Sequence, residues 1–190
     1  MDTNPIEKIR KVVRLIQPKI SPFGNISFRK GDAFQITKSG AVLNEIQKKD
    51  FVAPDPKNNP STETKLHAFI YEQRPEIHWI IHLHDSVVLK KGETLHLPIT
   101  KEEKPFGTQA LVDEVGKILG KHPYILMKNH GIIALGSSLD ETLDLIIKIH
   151  NACKDDGMEK WGRSYDRSDA FTPTIQNHSM GNGGKNLGCH

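Results

Sequence analysis

Between Ile77 and Asp85 the chain reads Ile-His-Trp-Ile-Ile-His-Leu-His-Asp, an apolar run with two histidines near its end separated by a single residue. Side chains alternate along a strand, so His78, Ile80, His82 and His84 fall on one face and Ile77, Trp79, Ile81 and Leu83 on the other. Two imidazoles therefore point the same way. A third, His130, sits between Asn129 and Gly131 just after another apolar run, and Glu63 lies upstream in Pro60-Ser61-Thr62-Glu63. Three neutral imidazoles with an open position form the ligand set of a catalytic Zn²⁺ site, and a nearby carboxylate is the usual proton-transfer partner. Taken alone, these residues leave the pair open between metal ligands and ordinary structural histidines. His78, His96, His122 and His150 read as structural, and Glu63 by itself reads as a helix-start residue.

The elements that must position these groups follow from caps and periodicity. Asn4 and Pro5 open a helix whose Ile6, Ile9, Val13 and Ile16 recur at helical spacing, ending by Pro18. Residues 26–29 and 33–37 form a hairpin about the turn Lys30-Gly31-Asp32. Two further turns bracket it, Phe23-Gly24-Asn25 and Lys38-Ser39-Gly40, each placing backbone amides beside a small polar side chain and able to hold an anion. Pro54, Pro56 and Pro60 leave room only for a short strand at Phe51-Val52. Ser61 or Thr62 then caps a helix bearing Leu66, Phe69 and Ile70, stopped at Arg74-Pro75. Glu63 falls in its first turn, where free N–H groups favour a carboxylate and can also receive a phosphate. If this helix packs antiparallel to the histidine strand, Glu63 meets the strand end that carries His82 and His84.

Beyond Asp85, a Lys-Lys-Gly-Glu turn and a polar connection lead to Thr108, which caps a helix carrying Leu111, Val112, Val115, Ile118 and Leu119 and ended by Gly120. Residues 123–127 read as a buried strand and 132–135 as its continuation or partner, so His130 lies at the bend between them. Ser138-Leu139-Asp140-Glu141 fits a capping box, and Leu143, Ile146, Ile147 and His150 share one face of the helix that follows. Glycine and asparagine dominate from Gly181 to Gly188, the composition of a mobile tail unless it folds over a site or a neighbouring subunit.

Length and composition set the class. A chain of 190 residues is most simply one domain with a real core, here residues 1–160 followed by a tail at 161–190. The formal charge is only +3, with 26 basic and 23 acidic residues interspersed, so no dense basic stripe offers itself to nucleic acid. Cys153 and Cys189 lack partners at metal-ligand or redox spacing, which argues against a disulfide scaffold. Without a leader-like N-terminus or an apolar run long enough to span a bilayer, the chain is expected to be cytoplasmic and off the membrane. No Rossmann or P-loop glycine motif is present to support nucleotide chemistry.

Six short motifs, taken in order, resemble the signature of the class II aldolase/adducin family: Gly24-Asn25-Ile26-Ser27, Ile36-Thr37-Lys38-Ser39-Gly40, Pro60-Ser61-Thr62-Glu63, His82-Leu83-His84, Phe106-Gly107-Thr108 and Asn129-His130-Gly131. The resemblance implies a three-layer α/β/α sandwich with a mainly antiparallel central sheet, and in the sugar-phosphate enzymes a homotetramer with sites at subunit interfaces. Carried onto matching positions, it makes His82, His84 and His130 the ligands of a divalent metal, usually zinc, and Glu63 the catalytic acid/base. Asn25, Ser39, Gly40, Ser61 and Thr62 match the family's phosphate cradle.

The implied reaction is aldol cleavage of a small phosphorylated ketose. Zinc acts as Lewis acid for the enediolate, and Glu63 returns a proton to it. Epimerases of the family carry Asp where Glu63 stands, methylthioribulose-phosphate dehydratases pair Glu with three His, and adducin-like members lack the metal ligands. The aldolase reading is therefore expected first, with dehydratase, epimerase or a non-catalytic interaction module as alternatives. The connection from His84 to Phe106 is shorter than in the fuculose-phosphate aldolases and lacks their tyrosine proton donor, a role that Tyr165 could fill. Asp85 also departs from the family's small residue, and is expected to be a strand cap rather than a partner of the site.

Overall fold

The computed structural model describes residues 4–17 and 23–154. Tyr165 and the 161–190 tail lie outside the described residues. The first helix, α1 (Pro5–Ile16), begins as its sequence requires: the Asn4 side chain accepts from the Ile6 amide, and Pro5 occupies the first turn. The hairpin forms from β1 (Asn25–Lys30) and β2 (Ala33–Thr37), and a two-residue β3 (Phe51–Val52) pairs with β2. There follow α2 (Thr64–Gln73), β4 (Trp79–Leu83), α3 (Ser86–Lys91), α4 (Gln109–Leu119), β5 (Tyr124–Met127), β6 (Gly131–Gly136) and α5 (Leu139–Lys154).

The six strands make one sheet in the order β3-β2-β1-β4-β6-β5, with every neighbouring pair antiparallel. The histidine strand β4 is thus central, flanked by β1 and β6. Alternation along the strands divides the apolar residues into two cores. Ile81, Leu83, Leu126, Ile132 and Ala134 face α1, α3 and α5, whereas Ile80, Ile125, Met127, Ile133 and Leu135 face α2 and α4. This is the expected three-layer α/β/α sandwich. Each fully buried Ile or Leu is worth roughly 1.5–3 kcal/mol, against about 1 kcal/mol for a helix cap. The apolar stripes therefore decide where the helices sit, and the caps decide where they start.

Two starts differ from expectation. α2 begins at Thr64, with Glu63 at the cap position rather than in the first turn. The reason is that Ser61 is already committed: its amide donates to the Thr37 carbonyl (2.9 Å), and its hydroxyl accepts from the Glu63 amide (3.3 Å). Residues 61–63 therefore form a turn stitched to β2. The second difference is α3, which includes Lys90 and Lys91 of the expected turn. Asp85 caps this helix rather than the strand, its carboxylate accepting from the Val87 and Val88 amides at 3.0 and 3.1 Å. The capping box of α5 is also shifted, since Ser138 Oγ accepts from the Glu141 amide while Glu141 accepts from the amide of Ser137.

Candidate metal centre and its carboxylate

Three elements deliver the three histidines. His82 is in β4, in register with Asn25 of β1 on one side and Ile133 of β6 on the other. His84 follows the end of β4, and His130 closes the turn between β5 and β6, where the preceding Asn129 takes a left-handed φ of 56°. Their ligand-capable nitrogens lie within 4.8 Å of one another. Gly131 is required here by space, because a Cβ would come within 2.6 Å of the Leu83 carbonyl oxygen and 2.7 Å of the His82 ring. Any side chain at that position would displace the central imidazole.

The protonation state follows from the contacts. His82 Nδ1 lies 2.9 Å from the Ile132 carbonyl oxygen. A carbonyl only accepts, so Nδ1 carries the proton and Nε2 presents a lone pair. His82 Nε2 is 3.2 Å from His84 Nε2. Two nitrogens bound to one tetrahedral zinc at about 2.05 Å stand about 3.3 Å apart, so this spacing suits a shared ion. Burial holds His82, His84 and His130 each down to about 4, with the neighbouring imidazoles pushing the same way for His84 and His130. All three are neutral at pH 7 and competent as ligands. The donor set fits a divalent metal.

Glu63 sits beside them, its two oxygens 3.3 Å from His82 Nε2 and 3.6 Å from His130 Nε2. It is only 4% exposed, and Asn25 Nδ2 donates to its Oε2 at 2.6 Å. Glu63 Oε1 has no hydrogen-bond partner among the described residues. Unpaired carboxylate oxygen and unpaired imidazole nitrogen thus converge on one small volume. Such an excess of acceptors is costly unless a cation satisfies them.

The five expected cradle residues do not behave alike. Ser39, Gly40 and Thr62 are exposed, while Asn25 and Ser61 are buried. The loops holding Ser39 and Ser61 are adjacent, linked by a Lys38–Pro60 bridge and by donation from the Ser39 amide to the Asn59 carbonyl (2.8 Å). Two of the expected amides, those of Ser39 and Ser61, are therefore already engaged. Asn25 directs its amide nitrogen to Glu63.

Several neighbours went unread in the sequence. Phe23, more than half exposed, stacks on the His84 ring with centroids 5.2 Å apart and planes 4° from parallel. A cleft beside His130 is lined by Glu103, Lys104, Pro105, Phe106 and Asn129. Behind Glu63, Ser27 Oγ contacts both His67 Nδ1 (2.7 Å) and the Tyr71 hydroxyl (2.9 Å). Burial holds His67 down to about 3 and Tyr71 above its ordinary range. Glu63, His67 and Tyr71 recur every fourth residue, a helical signal that could have joined them. His78, His96 and His122, read as structural, are exposed.

The chain belongs to the class II aldolase/adducin family: the family's "Class II Aldolase and Adducin N-terminal domain" matches residues 21–155. It is similar to an L-fuculose phosphate aldolase of Methanocaldococcus jannaschii, 31% identical over 149 residues, which is 66% of this chain and 77% of that protein. It is also similar to human gamma-adducin, 29% identical over 148 residues, covering 65% of this chain but only 21% of that protein. An L-fuculose-1-phosphate aldolase from Thermus thermophilus shares the fold with a TM-score of 0.67, across 79% of this chain and 91% of that one at 21% identity. A sugar-phosphate aldolase from Thermotoga maritima does so with a TM-score of 0.62, across 79% of this chain and 92% of that one at 16% identity. Among the described residues no helix is long and apolar enough to cross a membrane.

Proposed function

We propose that the protein is a zinc-dependent aldehyde-lyase that cleaves a small phosphorylated ketose, with His82, His84 and His130 as metal ligands and Glu63 as acid/base. The observation that carries this reading is the convergence of three neutral imidazoles and a buried carboxylate with unmet acceptors. Similarity to an L-fuculose phosphate aldolase points to the same class of reaction. Zinc, when bound, supplies Lewis-acid polarisation of a substrate carbonyl. Glu63 donates a proton to the substrate carbon left when the C–C bond breaks, and accepts it in the condensation direction. Asn25 holds that carboxylate by its Oε2, leaving Oε1 free for the proton. The Ile132 carbonyl keeps His82 in the tautomer that presents Nε2. Exposed Ser39, Gly40 and Thr62 receive the substrate phosphate, while buried Ser61 holds the turn that carries Thr62 and buried Asn25 holds Glu63.

Similarity to gamma-adducin favours a second reading, a non-catalytic interaction module that keeps the ion for stability. Dehydration or epimerisation of the same substrate class would use the same residues. The test is a screen of short ketose phosphates for aldehyde release, with zinc loaded and with a chelator present. Release that the chelator abolishes and that Glu63→Gln lowers by about 10²–10⁴-fold supports the lyase. A single dehydrated or epimerised product reassigns the chemistry, and no turnover with zinc loaded moves the assignment to the interaction module.

A further inference from the structure

His82 is fixed twice, by its place in the ladder and by its Nδ1–H bond to Ile132. His84 lies past the last ladder pair, Leu83 with Ile132, and its ring meets the rings of His82, His130 and the exposed Phe23. The residue that follows it is held far more tightly. Asp85 is fully buried on the opposite side of the chain, and its carboxylate takes three donors: the amides of Val87 and Val88 through Oδ1, and His150 Nδ1 at 2.7 Å through Oδ2. His150 belongs to α5 and is itself only 3% exposed. The two residues are 65 positions apart in the chain.

A backbone has only two soft dihedrals per residue, so an anchored Asp85 fixes the peptide plane that leaves His84 and narrows the directions its imidazole can take. We propose that Asp85 and His150 are positioning residues for the metal centre: the pair on the α1/α3/α5 side of the sheet sets the aim of His84 on the other side. This rests on the metal-site reading above. Neither residue touches the ion. Their part is to hold, through one peptide unit, a ligand that lies beyond the last ladder pair of its strand, as outer partners of metal ligands commonly do.

The experiment is Co²⁺ titration of the metal-free full chain, read as affinity and as the visible absorption spectrum of the bound ion. His150→Ala is expected to weaken Co²⁺ binding by about tenfold or more and to alter the spectrum. His150→Asn, which keeps a donor near the Nδ1 position, is expected to restore most of both. Ile149→Ala loosens the same helix without touching Asp85 and is expected to leave affinity within about twofold. Unchanged affinity and spectrum in folded His150→Ala would overturn the proposal, as would an equal loss in Ile149→Ala. Where His150→Ala does not fold, Asp85→Ser keeps a capping oxygen but is too short to reach His150, and it must show the same tenfold loss. If the unaltered protein binds no Co²⁺, the metal-site reading itself fails, a result distinct from tight binding that ignores these variants.

Discussion

On the α2/α4 side of the end of β4, three imidazoles and Glu63 converge with more acceptors than donors. On the α1/α3/α5 side, one buried imidazole and one buried carboxylate satisfy each other, with two backbone amides completing the set. The residue types are the same, and the carboxylates are 4% and 0% exposed. What differs is the hydrogen-bond balance. A buried polar group whose partners are all present stabilises the fold, whereas one left short of donors is retained where a ligand supplies what is missing. Burial of a histidine beside a carboxylate does not by itself mark a ligand-binding centre, because His150 and Asp85 have both features and satisfy each other.

Deleting a group from each side should therefore have opposite consequences. The largest effect is expected from His82→Ala, which removes the central donor. Metal content of the dialysed protein, measured by elemental analysis, should fall to background while the far-ultraviolet circular dichroism remains that of the folded chain. Retained stoichiometric metal would break the comparison at its first term. Next is Asp85→Ala, which leaves His150 buried without its acceptor and uncaps α3. A loss of about 3–5 kcal/mol in urea unfolding of the metal-free protein is expected, and a loss below about 1 kcal/mol would mean that the closed pair is not structural.

The smallest effect is that of acid. The three site imidazoles stand at about 4 in the fold against an ordinary value of 6.5. The unfolded chain thus takes up protons first, and stability present above pH 6.5 is lost as pH falls toward 4. Thermal midpoints of the metal-free protein should decline over that window, with buried His67 adding to the slope. The decline should shrink in a His82→Ala/His84→Ala double variant, and a slope of undiminished size would assign it elsewhere.

Much of the architecture was legible because it is local. Asn4, Thr108 and Ser138 each accept from a first-turn amide of the helix they were expected to open. Alternation in β4 put His82 on the face opposite Ile81 and Leu83, and the glycine after His130 marked a turn that brings the third imidazole to the pair. Short segments were misread where neighbours outweigh local preference. Lys90 and Lys91, expected in a turn, end a helix because the Asp85 carboxylate caps its first residues and Val88 has core to enter. Glu63 moved to the cap position because β2 had already claimed the Ser61 amide.

The sequence by itself determined the apolar periods, the caps, and a set of histidine and glutamate residues in an order that identified the family, since each depends on residues within a few positions of one another. Only the tertiary structure decided which polar groups meet. Asn25 reaches Glu63 because β1 pairs with β4 in the register that sets Asn25 beside His82, and His150 reaches Asp85 because α5 packs on that side of the sheet. Those contacts span 38 and 65 residues. A hydrogen bond at such separation has no local signal, because its geometry is set by the register of the sheet and by the packing of two cores rather than by either residue's neighbours in the chain.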